Sequence, residues 1–198
     1  MAPRIAQMFL FLFLANCPRP VIAADPVRAV LTPRSERPAA PAISVKDRAG
    51  KSISLISYRG NVILVDFWAT WCGGCKQELP WFQEFETTYR RRKFAVVAVS
   101  MDEGGWPIVT PFVESLKLAF KVALDDGETS KRYELKEMPA AFLIDRDGRL
   151  AAKYVGMADR DNLDANIRAL LSERHQSTGS GRARRSPPPP LNRQSAIK

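Results

Sequence analysis

The sequence predicts an α/β fold: a central mixed sheet flanked by helices, opened by an N-terminal β-hairpin. Three observations carry this expectation. Residues 62–68 and 94–99 are nearly continuous apolar runs, the pattern of strands buried on both faces. Each is followed by a longer stretch with apolar residues at helical spacing. Towards the C-terminus, two apolar runs flank Asp145-Arg-Asp-Gly148, a strong hairpin turn. Parallel strands need long crossovers and antiparallel strands accept short turns, so this alternation followed by a hairpin implies a mixed sheet.

Taken in order, residues 43–45 and 52–55 flank Asp47-Arg-Ala-Gly50 as the opening hairpin. The run 62–68 is a buried strand interrupted by one acid, Asp66. Residues 75–92 form a helix whose apolar face is Leu79, Phe82, Phe85 and Tyr89. A second buried strand at 94–99 leads to a helix over 107–120, with Phe112, Leu116 and Phe120 at fourfold spacing. A short strand is expected at 122–124, then the hairpin 141–144 and 150–155. A closing helix over 162–174 carries Leu163, Ile167, Leu170 and Leu171.

The chain ends are of different character. Residues 1–24 hold a basic start and a short apolar run, the signature of a secretory signal peptide or membrane anchor. The apolar stretch 8–15 is far short of the roughly 20 residues that span a bilayer. Cleavage fits after Ala23 or Ala24; lipoprotein processing at Cys17, in Leu14-Ala15-Asn16-Cys17, is the alternative. Residues 25–42 contain four prolines and no apolar period, and read as an extended Pro-rich linker. The domain proper then covers 43–175. Residues 176–198, with an Arg cluster and four consecutive prolines at 187–190, read as a disordered basic Pro-rich tail.

The formal charge is +9, but it resides at the ends. Outside residues 1–42 and 176–198 the chain has 20 basic and 19 acidic residues, so no nucleic-acid site is expected. An exported protein with a possible tether at its N-terminus is expected to work in the periplasm or another extracytoplasmic space, as a monomer.

Three cysteines are present, and Cys72 and Cys75 are the pair within the domain, too few for a disulfide scaffold. They directly follow the first buried strand and open the long helix, in Trp71-Cys72-Gly73-Gly74-Cys75. Free amides and the dipole at a helix N-terminus favour negative charge. Cys72 there should ionise below the ordinary thiol pKa of about 8.5. Cys75, one turn on, is placed to resolve a mixed disulfide. The two glycines are expected to leave the pair exposed, unlike inert core cysteines. Structural zinc wants four ligands, and the one histidine, His175, lies near the tail. The pattern thus points to a redox-active disulfide, Cys72–Cys75, working with no metal and no organic cofactor. A Cu(I) metallochaperone using the same cysteines, a disulfide-forming oxidant, and a binding module docking through the tail are the alternatives.

The run from Val62 to Cys75, including Phe67-Trp-Ala-Thr-Trp-Cys72, resembles the thioredoxin superfamily. With Lys76-Gln-Glu78-Leu-Pro80 it is most similar to the exported TlpA/ResA branch, which includes cytochrome c maturation reductases. The resemblance runs from about residue 42 to 171. It implies a thioredoxin-like fold and a thiol–disulfide oxidoreductase. The implied clients are protein disulfides or dithiols, apocytochrome c among them, and the implied electron source is a membrane-bound thiol donor.

The resemblance also implies roles for particular residues. Pro139, in Glu137-Met138-Pro139-Ala140, matches the cis-proline that faces the disulfide and helps bind the client backbone. Trp71 and Met138 fall at client-contacting positions beside it. Glu78 matches an acidic residue that tunes the thiols and handles a proton. Asp66 matches the buried aspartate of thioredoxin, held to assist deprotonation of the second cysteine; the TlpA/ResA branch more often has Asn there. At Gly74 the chain departs from the family, which usually has Pro, and a displaced redox potential is expected from this. Met138 before the proline is also unusual. Peroxiredoxins share the fold, but Ala69 stands where their peroxidatic site wants Thr or Ser, so peroxide reduction is a poor reading.

Overall fold

Strand β3 (Val62–Trp68) is buried along its whole length, and the molecule is arranged around it. In this computed structural model residues 25–174 are described. The expectations for residues 1–24, including Cys17, and for the tail from His175 onward lie outside those residues. The elements that precede β3 are β1 (Val45–Lys46) and β2 (Ser52–Ile53). After it come α1 (Gly73–Tyr89), β4 (Phe94–Ser100), α2 (Trp106–Ser115), β5 (Lys121–Leu124) and α3 (Glu128–Arg132). The chain continues through β6 (Ala140–Ile144), β7 (Leu150–Val155) and α4 (Arg160–Ser172).

Seven strands form one sheet in the order β2-β1-β5-β4-β3-β6-β7. β3, β4 and β5 run parallel, and β6 pairs antiparallel with both β3 and β7. This is the mixed sheet the sequence predicts. Side chains alternate across a strand, so Val62, Leu64 and Trp68 pack with α1, α2 and α4 on one face. Ile63, Val65 and Phe67 pack on the other with Ile43, Val45, Ile53 and Tyr133. The same alternation puts Asp66 on the α1 face.

The helix boundaries depart from expectation by two or three residues in α1 and α4, and by more in α2 and α3. α2 stops at Ser115 because Lys117 takes a left-handed conformation (φ 52°) and the Leu118 N–H turns back to the Val113 carbonyl. Phe120 reaches the core as part of the following turn rather than as a helical residue. The short α3 was not expected; Asp126 starts it by accepting hydrogen bonds from the Glu128 and Thr129 amides.

Residues 25–42, read as a linker, are extended apart from a single 3-10 turn at Arg34–Glu36, and are bound to the domain as a strap. Their backbone exchanges hydrogen bonds along β7 and its turn: Thr32 N–H to Ala151 O, Leu150 N–H to Pro38 O, and Ala40 N–H to Gly148 O. β7 would otherwise present an open edge. Arg37 anchors the strap. It is 3% exposed and donates to Asp145 at 3.0 Å and to Glu173 at 2.7 and 2.8 Å. No helix among the described residues is long and apolar enough to cross a membrane.

Candidate active site

The site is built where β3 ends. Met101 N–H bonds Trp68 O at 2.8 Å, continuing the β3–β4 register past the last strand residues. That register sets Asp102 beside the turn leading to the cysteines. Its carboxylate accepts from the Thr70 amide at 2.9 Å, the Thr70 hydroxyl at 2.6 Å and the Ser100 hydroxyl at 2.8 Å. The turn closes with Cys72 N–H to Ala69 O, and Cys72 becomes the N-cap of α1. The helix therefore begins at Gly73, two residues before the expected start.

Cys72 and Cys75 form a disulfide with Cα atoms 5.3 Å apart. The Cys75 amide donates to Cys72 Sγ at 3.2 Å. A sulfur that accepts a helix-start amide is favoured when negatively charged, so the geometry suits a thiolate at Cys72. The expectation of an openly exposed pair is corrected: Cys72 is 7% exposed and Cys75 1%. Of the two glycines, Gly73 has open space beside it, whereas neighbouring loops close against Gly74. Gly74 lies against the Pro139 ring and Met157 Cβ. Cys72 keeps the greater access, and Trp71 beside it is 68% exposed.

The Met138–Pro139 peptide is cis. Gly156 N–H donates to Pro139 O at 2.9 Å, joining this loop to the turn between β7 and α4. Met138 is partly buried against the core on the α1 face. Cys72, Cys75, Gly74 and Pro139 thus share one end of the sheet.

Glu78 is one turn beyond Cys75 and 1% exposed. Its Oε1 accepts from the Ala158 amide at 2.6 Å, while Oε2 is buried without a hydrogen-bond partner. Burial pushes its pKa up to about 7, with the Ala158 hydrogen bond opposing the rise. Asp66 is 1% exposed and neither carboxyl oxygen has a partner. Burial, followed by the charge of Glu78, raises its pKa well above the ordinary carboxylate range. Trp68 Nε1, on the same face, is likewise buried and unpartnered. Groups that cost this much to bury are concentrated at functional sites. Among the described residues no three His, Cys, Asp or Glu side chains converge on a metal position.

Sequence reasoning did not assign Asp102, Met157 or Ala158. Each reaches the site by a pairing distant in sequence. Asp102 lay within a stretch that resembles the family, but nothing local in the sequence ties it to Thr70.

The AhpC/TSA family matches residues 37–153. The thiol-disulfide oxidoreductase ResA of Bacillus thuringiensis subsp. konkukian is 32% identical over 132 residues, covering 66% of this chain and 76% of that protein. Among solved structures, a DsbE-type thiol:disulfide interchange protein of Chlorobium tepidum superposes with a TM-score of 0.64 at 35% identity, covering 68% of this chain and 96% of the other. StoA of Bacillus subtilis gives a TM-score of 0.55 at 30% identity, covering 65% and 98%. The chain therefore belongs to the AhpC/TSA family and is a thioredoxin-like thiol–disulfide oxidoreductase.

Proposed function

We propose that the protein is an extracytoplasmic reductase of client-protein disulfides, acting as a monomer, with apocytochrome c as a candidate client and a membrane-bound thiol as its electron donor. The observation that carries this reading is the asymmetry of the pair. Cys72 caps the helix and accepts the Cys75 amide, whereas Cys75 is buried one turn from Glu78. In the reduced enzyme the Cys72 thiolate attacks one sulfur of the client disulfide, and the other client sulfur leaves as a thiolate. Cys75, losing its proton, then attacks Cys72 Sγ. Both client sulfurs leave as thiolates that take their protons from water, and the enzyme is left with the Cys72–Cys75 disulfide. Two electrons pass to the client. Glu78, poised near neutrality, takes the proton from Cys75, and Asp66 is the second buried carboxyl of this relay. In this reading exposed Trp71, together with Met138 and Pro139, receives the client chain.

The test is reduction of insulin with dithiothreitol as donor. Cys72→Ser should abolish it, and Cys75→Ser should accumulate enzyme linked to client through Cys72. Unchanged turnover in Cys72→Ser removes the assignment. The potential of the pair fixes direction: a strongly reducing value supports a reductase, and an oxidising one reassigns the protein to disulfide formation. Stoichiometric Cu(I) binding at the dithiol with no insulin reduction would point to the metallochaperone alternative.

A further inference from the structure

We infer that Val27 of the strap is a positioning residue of the redox site, whose backbone clamps the 156–159 loop so that the Ala158 amide is aimed at Glu78. This rests on the proposed role of Glu78, and concerns what holds that side chain in place. The Val27 N–H donates to Met157 O at 2.7 Å, and the Asp159 N–H donates to Val27 O at 2.8 Å. Val27 and Ala158 form an isolated parallel bridge. In extended chain, successive peptide groups point to opposite sides. With Met157 O and Asp159 N–H both directed at Val27, the intervening Ala158 N–H must point the other way. There it meets Glu78 Oε1 at 2.6 Å.

The approach of the two segments is close. Gly156 has φ 96°, and a Cβ built there would stand 3.2 Å from Val27 Cγ2. The same loop carries Gly156 N–H to Pro139 O and sets Met157 against Gly74. Val27 thus holds a loop that touches the cis-proline, the turn between the cysteines and Glu78 at once. Further along the strap, Ala29 is bound through its N–H to Asn162 Oδ1 and through its carbonyl to Asn166 Nδ2. Asp66 of β3 senses the charge of Glu78, Cys72 and Cys75 lie on the same helix as Glu78, and the Arg28–Asp159 pair joins the strap to the loop. None of these replaces the Ala158 amide as a donor to the carboxylate.

The experiment follows the Glu78 carboxyl by 13C NMR titration of the reduced protein. A hydrogen bond to the charged form lowers a carboxyl pKa, so losing it raises the midpoint. Val27→Pro removes the N–H that holds Met157 and should raise the Glu78 midpoint by about 1 pH unit. Val27→Ile, which keeps the backbone bonds, should leave it in place. Leu31→Ala, a packing change elsewhere on the strap, should lower the melting temperature without moving the midpoint. A folded Val27→Pro with the wild-type midpoint overturns the inference, as does an equal shift in Leu31→Ala. Should Val27→Pro not fold, Val27→Gly decides: it loosens the clamp and should move the midpoint in the same direction by less, and no movement overturns the inference. A wild-type rate–pH profile in Glu78→Gln would instead sink the proposed proton role of Glu78 and leave the titration result standing.

Discussion

Gly74 lies against the ring of Pro139, so that a Cβ at Gly74 would stand 3.2 Å from Pro139 Cδ and 3.3 Å from Cγ. Contacts this close require the neighbour to move by a few tenths of an ångström. Gly74 therefore sets both the freedom of the turn between the cysteines and the approach of the loop facing them. We expect Gly74→Pro to shift the Cys72–Cys75 reduction potential by about 30 mV or more, equivalent to about 1.4 kcal/mol. Equilibration with glutathione buffers measures it, and a potential matching wild type would refute the dependence on Gly74.

Glu78 links stability to pH. Its pKa is about 7 in the folded protein against 4.5 for a free side chain, because burial disfavours its charge. Between these values the folded state binds more protons than the unfolded one, so stability falls as pH rises. The contribution is present below about pH 4.5 and lost as pH passes through 7, and it amounts to about 3 kcal/mol. Glu78→Gln should flatten this decline in urea denaturation series between pH 5 and 8. Curves that stay parallel to wild type would show that the carboxyl does not titrate in this window.

Asp102 holds the approach to the cysteines. Removing its carboxylate in Asp102→Ala strands the Thr70 amide and hydroxyl, at a cost of about 1–3 kcal/mol. Turnover of insulin should fall with it, since Thr70 lies two residues before Cys72. Retention of wild-type stability by calorimetry would mean that the turn is held by its other contacts.

Arg37 ties the strap to the end of the sheet. Arg37→Ala leaves Asp145, 3% exposed, without its cation, and breaking a buried pair costs about 3–5 kcal/mol. Chemical denaturation should show a loss of this order. A loss below about 1 kcal/mol, the scale of a surface pair, would mean that water already reaches the pair.

What could be read from the sequence divides along physical lines. β3 and β7 were legible to the residue because burial and alternation are local patterns. The dithiol at the start of α1 was legible because strand, motif and helix are contiguous. The strap was not, since four prolines and no apolar period look alike in a free linker and in a chain pinned by its backbone. Arg37 meets Asp145 across 108 residues, and Glu78 meets the Ala158 amide across 80. Backbone donors leave no trace in side-chain identity. The exposure of the cysteines was misjudged for the same reason: what covers Gly74 comes from Pro139 and Met157.

The strap also imposes an order on assembly. It is made before the domain, yet its partners, Asp145, Ala151, Met157, Asn162 and Glu173, all lie in the last third of the described chain. Contacts so distant in sequence form late and slowly. The first of the described segments to leave the ribosome therefore cannot be seated until the last ones have followed it. The outer edge of β7 therefore stays uncovered until the chain has been made through Glu173, and only then can the strap close over it.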